Sequence, residues 1–265
     1  MLTAVEMAKA GFQVVATMRS LERRGRLDEA AAKAGVSERL DISRLDITEI
    51  DSLPALVSEI VRRHGGIDVL VNNAGFPMAG FAEDLRLSEI REQFETNYFG
   101  TVALTLAVLP HMRERRSGHV IMVSSISGRT GQPVASAYSS SKFALEGWSE
   151  ALRLEMRSVG VHVVLIEPGS FQTDIWDRNL RIGEDARGQR SPNYERIQRY
   201  AEFVKKKVSK KDPVVVAQLI ARVARDPNPR LRYMVGQDAH IQRFLRTILP
   251  WNTYERIVRK VSGIG

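Results

Sequence analysis

The chain contains no cysteine. Disulfides, thiolate nucleophiles and cysteine-ligated metals are therefore excluded, and burial alone has to hold the fold. The lack is compatible with a reducing cytoplasm. Long apolar runs are missing as well. No segment reaches the roughly 18 apolar residues of a membrane-crossing helix. The first twenty residues lack the basic leader of a secretory signal, and Glu6 and Lys9 interrupt their apolar stretch. A soluble, cytoplasmic protein without a metal centre is expected. Internal repeats and low-complexity linkers are also absent, so the 265 residues are expected to form a single domain.

Hydrophobic residues make up 43% of the chain, enough for a filled core. The net charge of +8 is unevenly spread. Residues 1–175 hold 19 Lys and Arg against 22 Asp and Glu, whereas residues 176–265 hold 20 against 9. The ordinary reading of that basic third is a solvated face around a substrate cap. Nucleic-acid binding would call for a recognition motif, and the sequence has none, so no nucleic-acid partner is expected.

Short apolar runs alternate with helical patterns. The runs are Gln13–Thr17, Leu40–Asp46, Ile67–Asn72, His119–Ser124, Val161–Ile166 and Leu231–Val235. Most are continuously apolar, which suits parallel strands covered on both faces. Helical stretches lie near 1–10, 22–34, 50–64, 88–115, 138–158 and 213–225. The alternation predicts an α/β, Rossmann-like, doubly wound parallel sheet flanked by helices. Thr48 with Asp51 reads as a capping box, and Asp212-Pro213 as an N-cap followed by an N1 proline. Residues of about 171–211 break the rhythm and read as a cap over a substrate. Its apolar members Phe171, Ile175, Trp176, Leu180, Tyr194, Tyr200 and Phe203 are candidate pocket walls. A helical tail follows at about 240–265. Its arginines and apolar residues would suit a membrane surface, but such tails more often pack on their own domain, and membrane contact is not expected.

The chemistry centres on Tyr138-Ser-Ser-Ser-Lys142. Residues four apart share one face of a helix, so a phenol and an ammonium meet in one pocket. A nearby cation favours the phenolate, moving the phenol toward a working range for acid/base catalysis. Taken alone, the pair is equally an ordinary exposed couple. Its neighbours decide otherwise. Ser124-Ser125, Asn72-Asn73-Ala74-Gly75 and Pro168-Gly169 with Thr173 all stand at C-terminal ends of predicted strands, where such sheets bind ligands, and Asn97 lies in a nearby helix.

In the order Asp46-Ile47, Asn72-Asn73-Ala74-Gly75, Asn97, Ser125, Tyr138-x-x-x-Lys142 and Pro168-Gly169-x-x-x-Thr173, the sequence resembles the tyrosine-dependent short-chain dehydrogenase/reductase superfamily. The specific match covers about residues 1–175. The resemblance implies an NAD(P)-dependent oxidoreductase interconverting a secondary alcohol and a carbonyl, working as a homodimer or homotetramer built on the long helices at 88–115 and 138–158. It implies that Tyr138 passes the proton, Lys142 holds the nicotinamide ribose and lowers the Tyr138 pKa, Ser125 positions the substrate oxygen, and Asn97 holds a relay water. Asp46 and Ile47 would meet the adenine, Asn73 with Ala74 and Gly75 the adjoining ribose, and Pro168, Gly169 and Thr173 the nicotinamide. Arg19 ends the first strand where the cofactor is selected. With no acid beside it, it suits the 2′-phosphate of NADP(H) better than the free hydroxyl of NAD(H). The surroundings of these motifs are similar to hydroxysteroid and retinol dehydrogenases, which implies a lipophilic substrate.

One departure stands out. The family opens with a strand and a glycine-rich phosphate turn. Here residues 1–10 read as the helix that follows them. The expectation is a sheet lacking its first strand and turn, with unpaired strand edges and weakened cofactor binding. Either the start lies about fifteen to twenty residues too late, or the chain is a shortened, catalytically impaired relative acting as a binding or scaffold protein. The intact motif residues favour the first.

Overall fold

Two strands form the centre of the molecule because their side chains are apolar on both faces. Val120 and Met122 of β5 (Gly118–Val123), with Val163 and Leu165 of β6 (Val161–Pro168), pack on one side against Met112, Leu145 and Leu152. Ile121, Val164 and Ile166, offset by one residue, face the other side with Met7 and Ile220. A period of two in a strand sends neighbours to opposite faces, so an unbroken apolar run is what a doubly covered strand needs. The computed structural model describes residues 1–172, 179–207 and 212–264.

β3 (Val69–Asn72), β5, β6 and β8 (Arg232–Val235) form a parallel four-stranded sheet in that order. β1 (Val14–Met18) and β2 (Leu40–Arg44) form a separate parallel pair. Among the described residues no ladder joins β1 to β3. Both are largely half-buried. The two sheets are tied through one core: Met7 of α1 (Leu2–Lys9) packs in the cluster that holds Ile121 and Ile220, and Val14, Val69 and Val71 lean against it. α1 also packs on α8 (Val214–Val223), while α2 (Gly25–Lys33) covers β1 and β2. On the other face lie α3 (Leu53–His64), α5 (Gly100–Arg115) and α6 (Ser136–Met156).

Several elements differ from the sequence reading. The helix predicted over 88–115 is α4 (Leu87–Phe94), a wide π turn at Glu95–Phe99, and then α5. A π turn keeps the chain helical, so the apolar pattern runs on through it. Thr48 and Asp51 form no capping box. Instead Thr48 donates its N–H and its hydroxyl to Asp46 Oδ1, at 3.0 and 2.8 Å, because β2 ends at Arg44 and the chain turns at Asp46. At α8 the N-cap is Pro213 rather than Asp212, which stands one residue earlier and accepts from Val214 N at 2.9 Å.

Within the expected cap, β7 (Arg181–Ile182) pairs with β4 (Met78–Ala79), and α7 spans Tyr194–Lys207. Asp84 and Asn193, both buried, bind one another at 3.1 Å and fasten the cap to the body. The tail forms α9 (Gln237–Ile248) and α10 (Trp251–Ser262), divided at Leu249-Pro250.

Candidate active site

β5 ends at Val123, and the chain leaves the sheet through Ser124 and Ser125. The Ser125 hydroxyl accepts from Ser127 N at 3.1 Å, which fixes a single 3-10 turn, and it lies close enough to the Tyr138 phenol to influence its proton. Tyr138 is buried in the first turn of α6. One helical turn later, buried Lys142 donates from Nζ to the Val123 carbonyl at 2.8 Å. Its Nζ lies 5.9 Å from the Tyr138 ring centre. Serine, phenol and ammonium are therefore gathered by one strand end and one helix face.

Asn97 sits in the π turn and is wholly buried. Its Oδ1 accepts from Phe76 N at 3.0 Å, and its Nδ2 donates to Phe76 O and to Ser141 Oγ, each at 3.1 Å. Gln93 also donates to Phe76 O, at 2.6 Å. The loop after β3 is thus clamped against α4 and the π turn, which Asn97 ties to α6. Gly75 lies in that clamp: a Cβ there would stand 3.1 Å from Asn97 Oδ1 and 3.8 Å from Lys142 Nζ, so a side chain would crowd the site.

Burial raises the Tyr138 phenol above its ordinary pKa, with the Ser125 hydroxyl working the other way. This corrects the expectation that Lys142 lowers it. The ammonium faces the Val123 carbonyl, and desolvation governs both groups. Lys142 itself is pushed down to about 8 by burial, against the attraction of Glu146. Below it lies an acid cluster that spacing did not reveal. Arg232 Nε stands 3.1 Å from Glu146 and 3.2 Å from Glu167, and its Nη2 binds Glu150 at 2.6 Å. Glu167 is buried and is raised to about 7, by desolvation first and by repulsion from Glu146 second.

These groups open onto a cavity of about 1100 Å³. Its wall includes Asn73, Gly75, Ser125, Tyr138, Lys142, Pro168 and Gly169 of the predicted set. Arg19, Asp46 and Ile47 lie outside the lining, at the ends of β1 and β2, and Arg19 helps hold the Asp46 carboxyl low. Burial raises that carboxyl, but the Thr48 hydrogen bonds and the charges of Arg19 and Arg44 outweigh it. Ala74 is exposed beside the cavity, and Asn97 stands behind its wall. Thr173, Ile175 and Trp176 lie outside the described residues. Phe171, Leu180, Tyr200 and Phe203 of the expected pocket line it; Tyr194 does not. Sequence reasoning missed Arg26, Gln132, Leu245, Tyr254 and Val258, because distant elements bring them in.

A nicotinamide dinucleotide fits this donor set. Asn73, Tyr138, Lys142 and Gly169 border one elongated cavity, the N-terminus of α1 opens on it through Leu2 and Thr3, and Gly75 leaves room for close backbone approach.

The short chain dehydrogenase family profile matches residues 1–181. The oxidoreductase YusZ of Bacillus subtilis is 39% identical over 262 residues, covering 98% of this chain and 93% of that protein. Retinol dehydrogenase 8 of Bos taurus is 40% identical over 174 residues, which are 64% of this chain and 55% of that protein. Among solved structures, a short-chain dehydrogenase from Streptomyces avermitilis superposes with a TM-score of 0.79 at 31% identity, covering 96% of this chain and 92% of that one.

Proposed function

This chain belongs to the short-chain dehydrogenase/reductase family and is an oxidoreductase, and from that premise we propose that it interconverts a lipophilic secondary alcohol and its ketone with NADP(H). The observation that carries the reading is that Ser125, Tyr138 and Lys142 line one cavity together, with Lys142 Nζ 5.9 Å from the Tyr138 ring centre.

A bound nicotinamide would supply or take the hydride at the carbinol carbon. Ser125 holds the substrate oxygen, and Tyr138 gives that oxygen its proton in reduction or removes it in oxidation. Burial keeps the phenol protonated, the form that donates when a carbonyl is reduced. Lys142, still mostly charged at neutral pH, would hold the ribose and return the proton to Tyr138, taking one back from solvent in the cavity it lines. Asn97, with every side-chain donor engaged, acts by keeping the Phe76 loop and Ser141 in register. Asn73, Pro168 and Gly169, on the cavity wall, would line the dinucleotide's path, and Asp46 and Ile47, just beyond the end of β2, would meet its adenine.

NADP(H) is favoured over NAD(H) by Arg19 at the end of β1 and Arg26 on the cavity wall, cations suited to a 2′-phosphate. Phe171, Tyr200 and Phe203 favour an apolar substrate, and a relative named for retinol is in keeping with that. Exposed Phe99 and Leu106 on the α5 side and Leu154 on α6 suit a homodimer or homotetramer joined through these helices.

The test is NADPH oxidation with a panel of lipophilic ketones. Tyr138→Phe is expected to lower turnover by at least about 100-fold, with NADPH affinity and Tm retained. Undiminished turnover in that variant refutes the mechanism. Absence of both NADPH binding and turnover in the unaltered chain would instead favour a binding or scaffold role.

A further inference from the structure

Apolar side chains in a helix that packs on a domain normally face inward. α9 departs from this. Ile241, Phe244 and Ile248, three and four residues apart on one face, are 60%, 61% and 59% exposed, and Trp251 at the start of α10 is 56% exposed. α10 by contrast turns Tyr254 and Ser262 inward. A stripe of this kind marks a surface that meets something apolar.

Two further observations identify the partner. The first is charge. α9 and α10 carry Arg243, Arg246, Arg256, Arg259 and Lys260 against only Asp238 and Glu255, and Asp238 is committed to Ser170 N at 2.6 Å. Arg243 and Arg246 also line a depression of about 480 Å³ together with Arg129, the hydroxyl-bearing Thr130 and Thr247, and Trp251. Cationic side chains around an indole at the end of an apolar stripe match the phosphate and acyl layers of a lipid interface. The second is continuity. Ile241, Ile257 and Val261 are exposed and also line the large cavity, so its mouth opens within the same apolar face. Among the described residues no helix is long and apolar enough to cross a membrane.

We propose that α9 and the start of α10 dock this protein on an anionic lipid bilayer, with the cavity mouth turned toward the acyl layer. Phe244, Ile248 and Trp251 enter the interface, and Arg243 and Arg246 engage lipid phosphates. Passage of substrate from bilayer to cavity rests on the lipophilic-substrate reading; the docking does not. The sequence favours a tail folded back on its domain, because spacing alone does not tell which face of α9 is covered.

Co-sedimentation with phosphatidylcholine vesicles, with and without phosphatidylserine, tests the proposal. Binding is expected only to the vesicles containing phosphatidylserine, and to weaken with salt. Arg243→Gln with Arg246→Gln is expected to reduce partitioning roughly twentyfold. Phe244→Ser with Ile248→Ser should reduce it about tenfold or more. Both double variants should keep their helix content and their turnover of a water-soluble ketone, since none of these residues lines the large cavity. No binding by the unaltered protein overturns the proposal, as does equal binding by the variants. A dimer by light scattering that Phe244→Ser with Ile248→Ser dissociates also overturns it, because a second copy then covers the stripe. Turnover without vesicle binding removes the docking and leaves the enzymatic reading intact; binding without turnover does the reverse.

Discussion

Replacing Glu167 by Gln should flatten the pH dependence of stability across the neutral range. Glu167 is buried near the end of β6, and its pKa stands at about 7 against 4.5 for the free side chain. Desolvation is the main cause and Glu146 adds to it, while Arg129, Arg232 and Arg243 oppose both. An acid whose folded pKa is raised holds its proton longer in the native state than in the unfolded one. Stability is therefore unaffected by this group below 4.5, then falls as pH rises, and levels off above about 7. A gap of about 2.5 units corresponds to about 3 kcal/mol. The Gln variant carries no such loss. It should match the parent near pH ~4.5 and exceed it by up to about 3 kcal/mol near pH ~8, or roughly 6–12 °C in Tm. Urea unfolding followed by tryptophan fluorescence, at a series of pH values, measures this directly. Parallel stability curves for the two proteins would refute the assignment of the proton to Glu167.

Other outcomes follow from the same geometry. Glu146 holds the Lys142 pKa up against burial, so Glu146→Gln should move the alkaline limb of the kcat profile to lower pH, from an inflection near 8; an unmoved inflection rejects the coupling. Gly100→Ala would set a Cβ onto the Ile47 carbonyl and should destabilise by about 1–3 kcal/mol; an unchanged urea midpoint would show that the neighbouring backbone yields freely. Arg19→Ala should raise KM for NADPH several-fold and leave KM for NADH alone, and an equal effect on both cofactors counts against a 2′-phosphate contact.

The parts of the fold that were legible are those where each residue carries the whole signal. Val163 to Ile166 are apolar at every position because β6 is covered on both faces, and no helix of that length would need it. Tyr138, Lys142 and Ser125 were legible because one helix turn and one strand end are short-range features. The π turn at Glu95–Phe99 was hidden by the helical pattern on both sides of it. β4 and β7, two residues each, are too short to show a period and pair across a hundred positions. The Arg232–Glu146–Glu167 cluster joins three separate elements, and the same separation hid Tyr254 and Leu245 from the cavity prediction. The direction of the Tyr138 pKa was misread because spacing reports that a cation is near, whereas burial decides how much either charge costs.

The π turn ahead of α5 makes the site sensitive to chain length rather than to composition. It holds one residue more than a regular turn, and Asn97 is at its middle. Deleting a single residue there would leave an unbroken helix with every backbone amide still paired. Everything before the deletion would nevertheless swing by about 100° around the axis, carrying Gln93 away from the Phe76 carbonyl. Such a deletant should fold with normal helix content and yet lose the ordered wall beside Lys142.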